Sequence, residues 1–206
     1  MWSTTKEQEI LRSFSSFADR LGTFNLQGLS VPFLVFYRKD IFMKKVGIIM
    51  GSDSDLPIIK KATDILKSLD IPFEVHILSA HRTPVEAADF AKNARENGFG
   101  VMIAAAGMAA HLAGAVAANT TLPVIGIPCK SSVFDGMDAL LSTVQMPTGI
   151  PVATVAVNGG ANAALLAAQI IAVEDKELAD KLNKKRADDA QKVLEKDANV
   201  MNMLDA

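Results

Sequence analysis

The chain is expected to fold as an α/β three-layer sandwich, a five-stranded parallel sheet covered by helices on both faces. Three observations carry this reading. Five short apolar runs recur between residues 46 and 157, the segments between them are long enough for helices, and the first two of those segments repeat apolar side chains at helical spacing. Strands buried on both faces read as continuous apolar runs, and parallel neighbours need crossovers of about a dozen residues or more.

Taken in order, the first run is VGIIM at residues 46–50, followed by GSDSDLP and a helix carrying Leu56, Ile59, Ala62, Leu66 and Leu69. The second, FEVHIL at 73–78, reads as a buried strand. It passes through SAHRTP at 79–84 into a helix bearing Val85, Ala88, Phe90, Ala91 and Ala94, with Thr83 as N-cap and Pro84 at the first helical position. The third, VMIAA at 101–105, enters an Ala- and Gly-rich stretch ending near Ala118. So many small side chains permit close backbone approach, to a packed neighbour or to a flat ligand, and His111 begins the helix there. PVIGI at 123–127 and VATVAV at 152–157 complete the sheet. Beyond Ala172 the chain turns charged, with a narrow stripe of Leu178, Leu182, Ala190, Val193 and Leu194. Such a helix either leans on another subunit or stands solvated at the terminus.

The 206 residues suffice for one well-buried domain, expected over residues 43–173, with a helical tail at 174–206. Residues 1–42 hold six of the ten phenylalanines and the only Trp and Tyr without a sustained period. They read as a weakly ordered or non-native extension, with Met43 a serviceable initiator. Their apolar run VPFLVFY is far short of a bilayer span, and neither a secretory nor an organellar leader fits. A net charge of −2 with no basic patch gives no footprint for nucleic acid, so the expected partner is a small molecule or another protein. The single cysteine, Cys129, excludes an internal disulfide framework and fits a reducing cytosol. It reads most simply as a small core residue at a strand end.

Ligands of open parallel sheets bind beyond the carboxyl ends of the strands, so the residues leaving each strand there matter most. They are GSDSDLP after the first strand, SAHR after the second, AGMAAH after the third, KSS with Gly136 after the fourth and NGG after the fifth. The serines and helix start of GSDSD suit an anion such as phosphate, with Ser52 and Ser54 meeting it and Asp55 free for sugar hydroxyls. Plain helix capping, which Ser and Asp do everywhere, is the better account of this motif taken alone. Arg82 offers a planar fork for an oxyanion, and His81 is the candidate acid/base, since imidazole gives and takes protons near neutrality. His111 is expected either to support the residues that meet a ligand or to serve structure alone. His76, five residues before His81, points to the opposite face of an uninterrupted strand and shares no metal with it. Neither a metal-binding spacing, a dinucleotide fingerprint nor a serine elbow occurs, so an enzyme of this sequence works without cofactor.

GSDSD at 51–55, SAHRTP at 79–84, AGMAAHL at 106–112 and QMPTGIPVAT at 145–154 together resemble the class I 5-(carboxyamino)imidazole ribonucleotide mutases of purine synthesis. The likeness runs from about Val46 onward, and the order of SAHRTP and QMP-x-G-x-PVAT is its specific part. It implies a flavodoxin-like sandwich, usually a cytoplasmic homo-octamer. The implied reaction is a cofactor-free transfer of carboxylate from the exocyclic nitrogen to C4 of the imidazole. It implies that Ser52, Asp55 and Arg82 hold the ribose phosphate of a ribonucleotide substrate, that His81 is the acid/base, and that Ser54, Ser79, Ala80, Gly107, His111 and Leu112 complete the binding set. It also implies coupling to the ATP-dependent carboxyaminoimidazole ribonucleotide synthase. The similar enzymes release carbon dioxide in a closed pocket and recapture it, which asks one group to donate a proton and later remove one. Met108 and the short NGGAN turn at 158–162 depart from the family pattern. Two other readings remain: the class II carboxylase, which uses free carbon dioxide and typically has Lys at the Arg82 position, and a non-catalytic module that binds a phosphorylated ligand.

Overall fold

The structure, a computed structural model, describes residues 43–204. The expectations for residues 1–42 lie outside the described residues. Five parallel strands, β1 (Lys45–Met50), β2 (Phe73–Ile77), β3 (Phe99–Gly107), β4 (Val124–Cys129) and β5 (Ala153–Thr154), form one sheet in the order β2-β1-β3-β4-β5. That is the flavodoxin-like arrangement, with the chain reversing direction across the sheet next to β1.

Alternation along the strands splits the core in two. Val46, Ile48 and Met50 of β1 join Val101, Ile103, Ile125 and Ile127 on one face, where α1 (Leu56–Ser68) and α5 (Gly160–Ala172) pack. Ile49, Met102, Ala104 and Val124 face the other way onto α2 (Pro84–Asn93) and α3 (Leu112–Ala117). Near the β4 end of that face, Gly126 leaves room for Thr143 of α4 (Met137–Val144). After α5 come the long α6 (Lys176–Ala198) and a short α7 (Val200–Leu204). Asp175 caps α6 by accepting from the Leu178 N–H at 3.0 Å. Only Leu178 of α6 is buried, with Leu182 half-buried, while Val193 and Leu194 are exposed.

Three strands depart from their expected form. The strand expected to be buried, β2, is half-exposed, with His76 and Ile77 open to solvent, because strand order makes it an edge. β3 runs two residues past Ala105, and Met108 then turns the chain at φ 56° before α3 begins. β5 keeps only Ala153 and Thr154. The Val155 N–H still donates to the Gly126 carbonyl, but the next rung of a parallel ladder needs an N–H on residue 128, which is proline.

Gly160, buried at the start of α5, lies against α1, where an added Cβ would collide with the Ile58 backbone carbonyl. Backbone cannot yield as a flexible side chain can. Gly160→Ala is therefore expected to lower the free energy of unfolding by about 2 kcal/mol, read as a lower urea midpoint with unchanged slope.

Candidate active site

A cavity of about 600 Å³ opens at the carboxyl edge of the sheet. Its walls come from four strand exits, and all ten residues expected at a ligand site line it: Ser52, Ser54, Asp55, Ser79, Ala80, His81, Arg82, Gly107, His111 and Leu112. Met108, Lys130 and Ser131 also line it. Lys130 and Ser131 were visible in the sequence only as the fourth strand exit, without an assigned role.

The SAHRTP turn is built by its two hydroxyl residues. Ser79 Oγ accepts from the His81 and Arg82 N–H groups at 3.3 and 3.2 Å. Thr83 Oγ1 accepts from the Ser79 N–H at 2.8 Å and donates to its carbonyl at 3.2 Å. Thr83 holds the expected N-cap position of α2 but spends its side chain on the turn and makes no cap bond, while Pro84 occupies the first turn. With the backbone satisfied in this way, the side chains of His81 and Arg82 are left to face the cavity. Arg82 Nη2 donates to the Gly51 carbonyl at 2.7 Å, joining the exits of β2 and β1. His81 Nε2 lies 3.3 Å from His111 Nδ1, with ring centroids 5.5 Å apart. In that bond one nitrogen carries the hydrogen and the other a lone pair, so the two rings hold each other's orientation.

After β1 the chain makes a single 3₁₀ turn, Asp53–Asp55, before α1. Ser52 Oγ accepts from the Ser54 N–H at 3.3 Å and donates to Asp53 Oδ1 at 3.1 Å. The two aspartates part company: Asp53 is exposed and Asp55 is buried in the cavity wall. Burial raises the Asp55 pKa above the ordinary carboxylate range; hydrogen bonds from the Cys129 thiol and the Ser52 backbone oppose that rise, and the Asp53 charge adds to it. Cys129 is buried, and burial, then the Asp55 charge, pushes its thiol up to about 12. A thiol so protonated is no nucleophile, and it donates to the Ile127 carbonyl at 3.6 Å. His76 is remote from this chemistry, stacked edge-on to Phe90 at 4.8 Å and 3.8 Å from Glu74. Among the described residues no group of three or more His, Cys, Asp or Glu could hold a metal ion.

Fold and site together define a parallel α/β protein with a polar cavity at the carboxyl edge of its sheet, beside an imidazole pair. A profile of the family described as AIR carboxylase matches residues 45–192, and the chain belongs to that family. It is 55% identical over 151 residues to the N5-carboxyaminoimidazole ribonucleotide mutase of Pyrococcus horikoshii, spanning 73% of this chain and 85% of that protein. Over 130 residues it is 58% identical to the phosphoribosylaminoimidazole carboxylase of Ogataea methanolica, spanning 63% of this chain and 24% of that longer protein. The crystal structure of Treponema denticola PurE superposes with a TM-score of 0.68 at 34% identity, covering 76% of this chain and 98% of that one.

The raised Asp55 pKa has a definite sign. The folded state binds this proton more tightly than the unfolded chain, so Asp55 opposes folding as pH rises through the unfolded carboxylate range, and fully so above its folded value. Asp55→Asn is expected to raise the melting temperature near neutral pH, with the gain vanishing in acid below the carboxylate range. Thermal scans across pH check this.

Proposed function

We propose that this chain is an N5-carboxyaminoimidazole ribonucleotide mutase. The reading rests chiefly on one observation: His81, paired at 3.3 Å with His111, stands in the same cavity as the Ser52 turn and Arg82. Ser52, Ser54 and Arg82 anchor the phosphate, and Asp55 takes the ribose hydroxyls. The remote phosphate then holds the heterocycle still while chemistry occurs at its far end.

Cleavage of the N–carboxylate bond returns its electron pair to the exocyclic nitrogen, and protonated His81 delivers a proton there. Carbon dioxide stays in the pocket. C4 of the electron-rich ring attacks it, forming the new C–C bond, and the now neutral His81 removes the C4 proton. The imidazole ends as it began, so no net proton is consumed. Small walls at Ala106 and Gly107 suit a flat ring, and the reaction needs water kept out so that the gas is recaptured. Sequence likeness to a relative named as a carboxylase favours a second reading, in which carbon dioxide enters from solution.

Conversion of the carboxyamino nucleotide without ATP or added bicarbonate supports the mutase, whereas a requirement for bicarbonate would transfer the assignment to the carboxylase. His81→Asn is expected to lower kcat by about 100-fold or more with an unchanged circular dichroism spectrum. Unimpaired turnover would remove His81 from the mechanism.

His81, Arg82 and His111 are solvent-exposed in the single chain, so recapture of carbon dioxide needs a cover. We propose that a homo-octamer supplies it. In support, Val133 is 72% and Phe134 64% exposed at the cavity's rim loop, and α6 carries an unpacked Val193 and Leu194. The expected functional partner is the ATP-dependent synthase that makes the substrate, and the expected location is the cytoplasm; no helix among the described residues is long and apolar enough to cross a membrane. Light scattering is expected to give eight times the chain mass, and a monomer with full activity would defeat the assembly.

A further inference from the structure

The nucleotide assigned above carries two separated anions, a phosphate and a carboxylate. Of the residues lining the cavity, Arg82 and Lys130 bear fixed positive charge. Arg82 leaves β2 and Lys130 leaves β4, and the order β2-β1-β3-β4 separates those exits by three strand spacings, about 14 Å. Arg82 belongs with Ser52 at the phosphate end. Lys130 stands at the other end, past Gly107.

Lys130 has an exposed side chain on a braced backbone. Its N–H donates to Asn158 Oδ1 at 2.9 Å, and Asn158, at φ 59°, in turn donates its own N–H to the Pro128 carbonyl at 2.8 Å. On the other side Gly136, at φ 92°, packs so closely that a Cβ there would lie 3.2 Å from Lys130 Cα. Asp135, itself at φ 52°, brings its carboxylate 2.8 Å from Lys130 Nζ. Two successive left-handed residues fold the β4–α4 loop back on the lysine, a conformation that costs free energy for a non-glycine residue. The result is an ammonium whose base is fixed and whose head already meets a carboxylate at the cavity's rim.

Resting on the mutase reading, we infer that Lys130 is the carboxylate-binding residue of the site, its ammonium receiving the carboxylate that the reaction moves. Asp135 positions the ammonium and balances its charge until the nucleotide enters.

The test compares binding of two nucleotides that differ only in that group, 5-aminoimidazole ribonucleotide and its 4-carboxylate, by calorimetry. Lys130→Met is expected to weaken the carboxylate about tenfold or more and to leave the uncarboxylated nucleotide within about twofold. Asp135→Asn, which keeps the cation, is expected to retain preference for the carboxylate. Equal losses for both nucleotides in Lys130→Met, or a Lys130→Met effect reproduced by Asp135→Asn, would reduce the ion pair to a loop brace and overturn the inference. A wild-type chain that binds neither nucleotide would overturn the mutase reading along with it. Wild-type binding with no discrimination by Lys130 overturns only this step.

Discussion

The site depends on the level at which the parallel strands end. Met50 pairs with Ile77 on one side and Ala105 on the other, and the ladder then carries Gly107 level with Cys129. The Gly51 N–H still donates to the Ala105 carbonyl at 3.0 Å, and Leu78 to the Met50 carbonyl at 2.9 Å. Three exits therefore open together, and the two extra residues of β3 lie between the exits of β1 and β4. Gly107 can sit there because it has no side chain; a Cβ would come 3.2 Å from the Cys129 carbonyl. Residues from distant parts of the chain meet because of this register.

On that platform each exit divides its polar groups between holding the backbone and meeting a ligand. In SAHRTP, Ser79 and Thr83 hold, which releases His81 and Arg82. After β1, Ser52 both braces the 3₁₀ turn and lines the cavity, and Asp55 is buried at the cost that its raised pKa records. A carboxylate buried for stability would be paired with a cation; this one has a protonated thiol and a backbone amide, with its remaining acceptor capacity turned to the cavity. Such an arrangement makes sense when a sugar hydroxyl completes the shell.

Much of this was legible in the sequence because its signals are local. Apolar runs locate β1, β3 and β4 to within a few residues, and the strand-exit rule alone draws together Ser52, His81, Arg82 and Gly107. What escaped depends on contacts across the sheet. FEVHIL looks buried until strand order places it at an edge, and VATVAV looks like a full strand until Pro128 on its neighbour withholds a donor. Lys130 drew no assignment because nothing in KSSVFDG announces that Asn158 and Asp135 will brace it. Likewise, the mutual influence of Cys129 and Asp55 on each other's protonation joins residues 74 positions apart, beyond the reach of any motif.

Backbone strain supplies an independent pointer to where the chemistry lies. Four non-glycine residues among those described take positive φ, and three of them, Met108, Asp135 and Asn158, sit at the carboxyl edge. Each such conformation costs about 1 kcal/mol or more, and a loop serving only as a connection has cheaper ways to turn. The cost is offset locally: Asn158 holds the ends of β4, Asp135 meets Lys130, and the chain after Met108 closes through the His111 N–H onto the Ala109 carbonyl at 2.8 Å. That last bond sets the start of α3 and thereby the ring of His111, the partner of His81. The Met108 side chain is 65% exposed at the rim, so it adds apolar surface to the cavity mouth while the backbone keeps the left-handed turn the site requires.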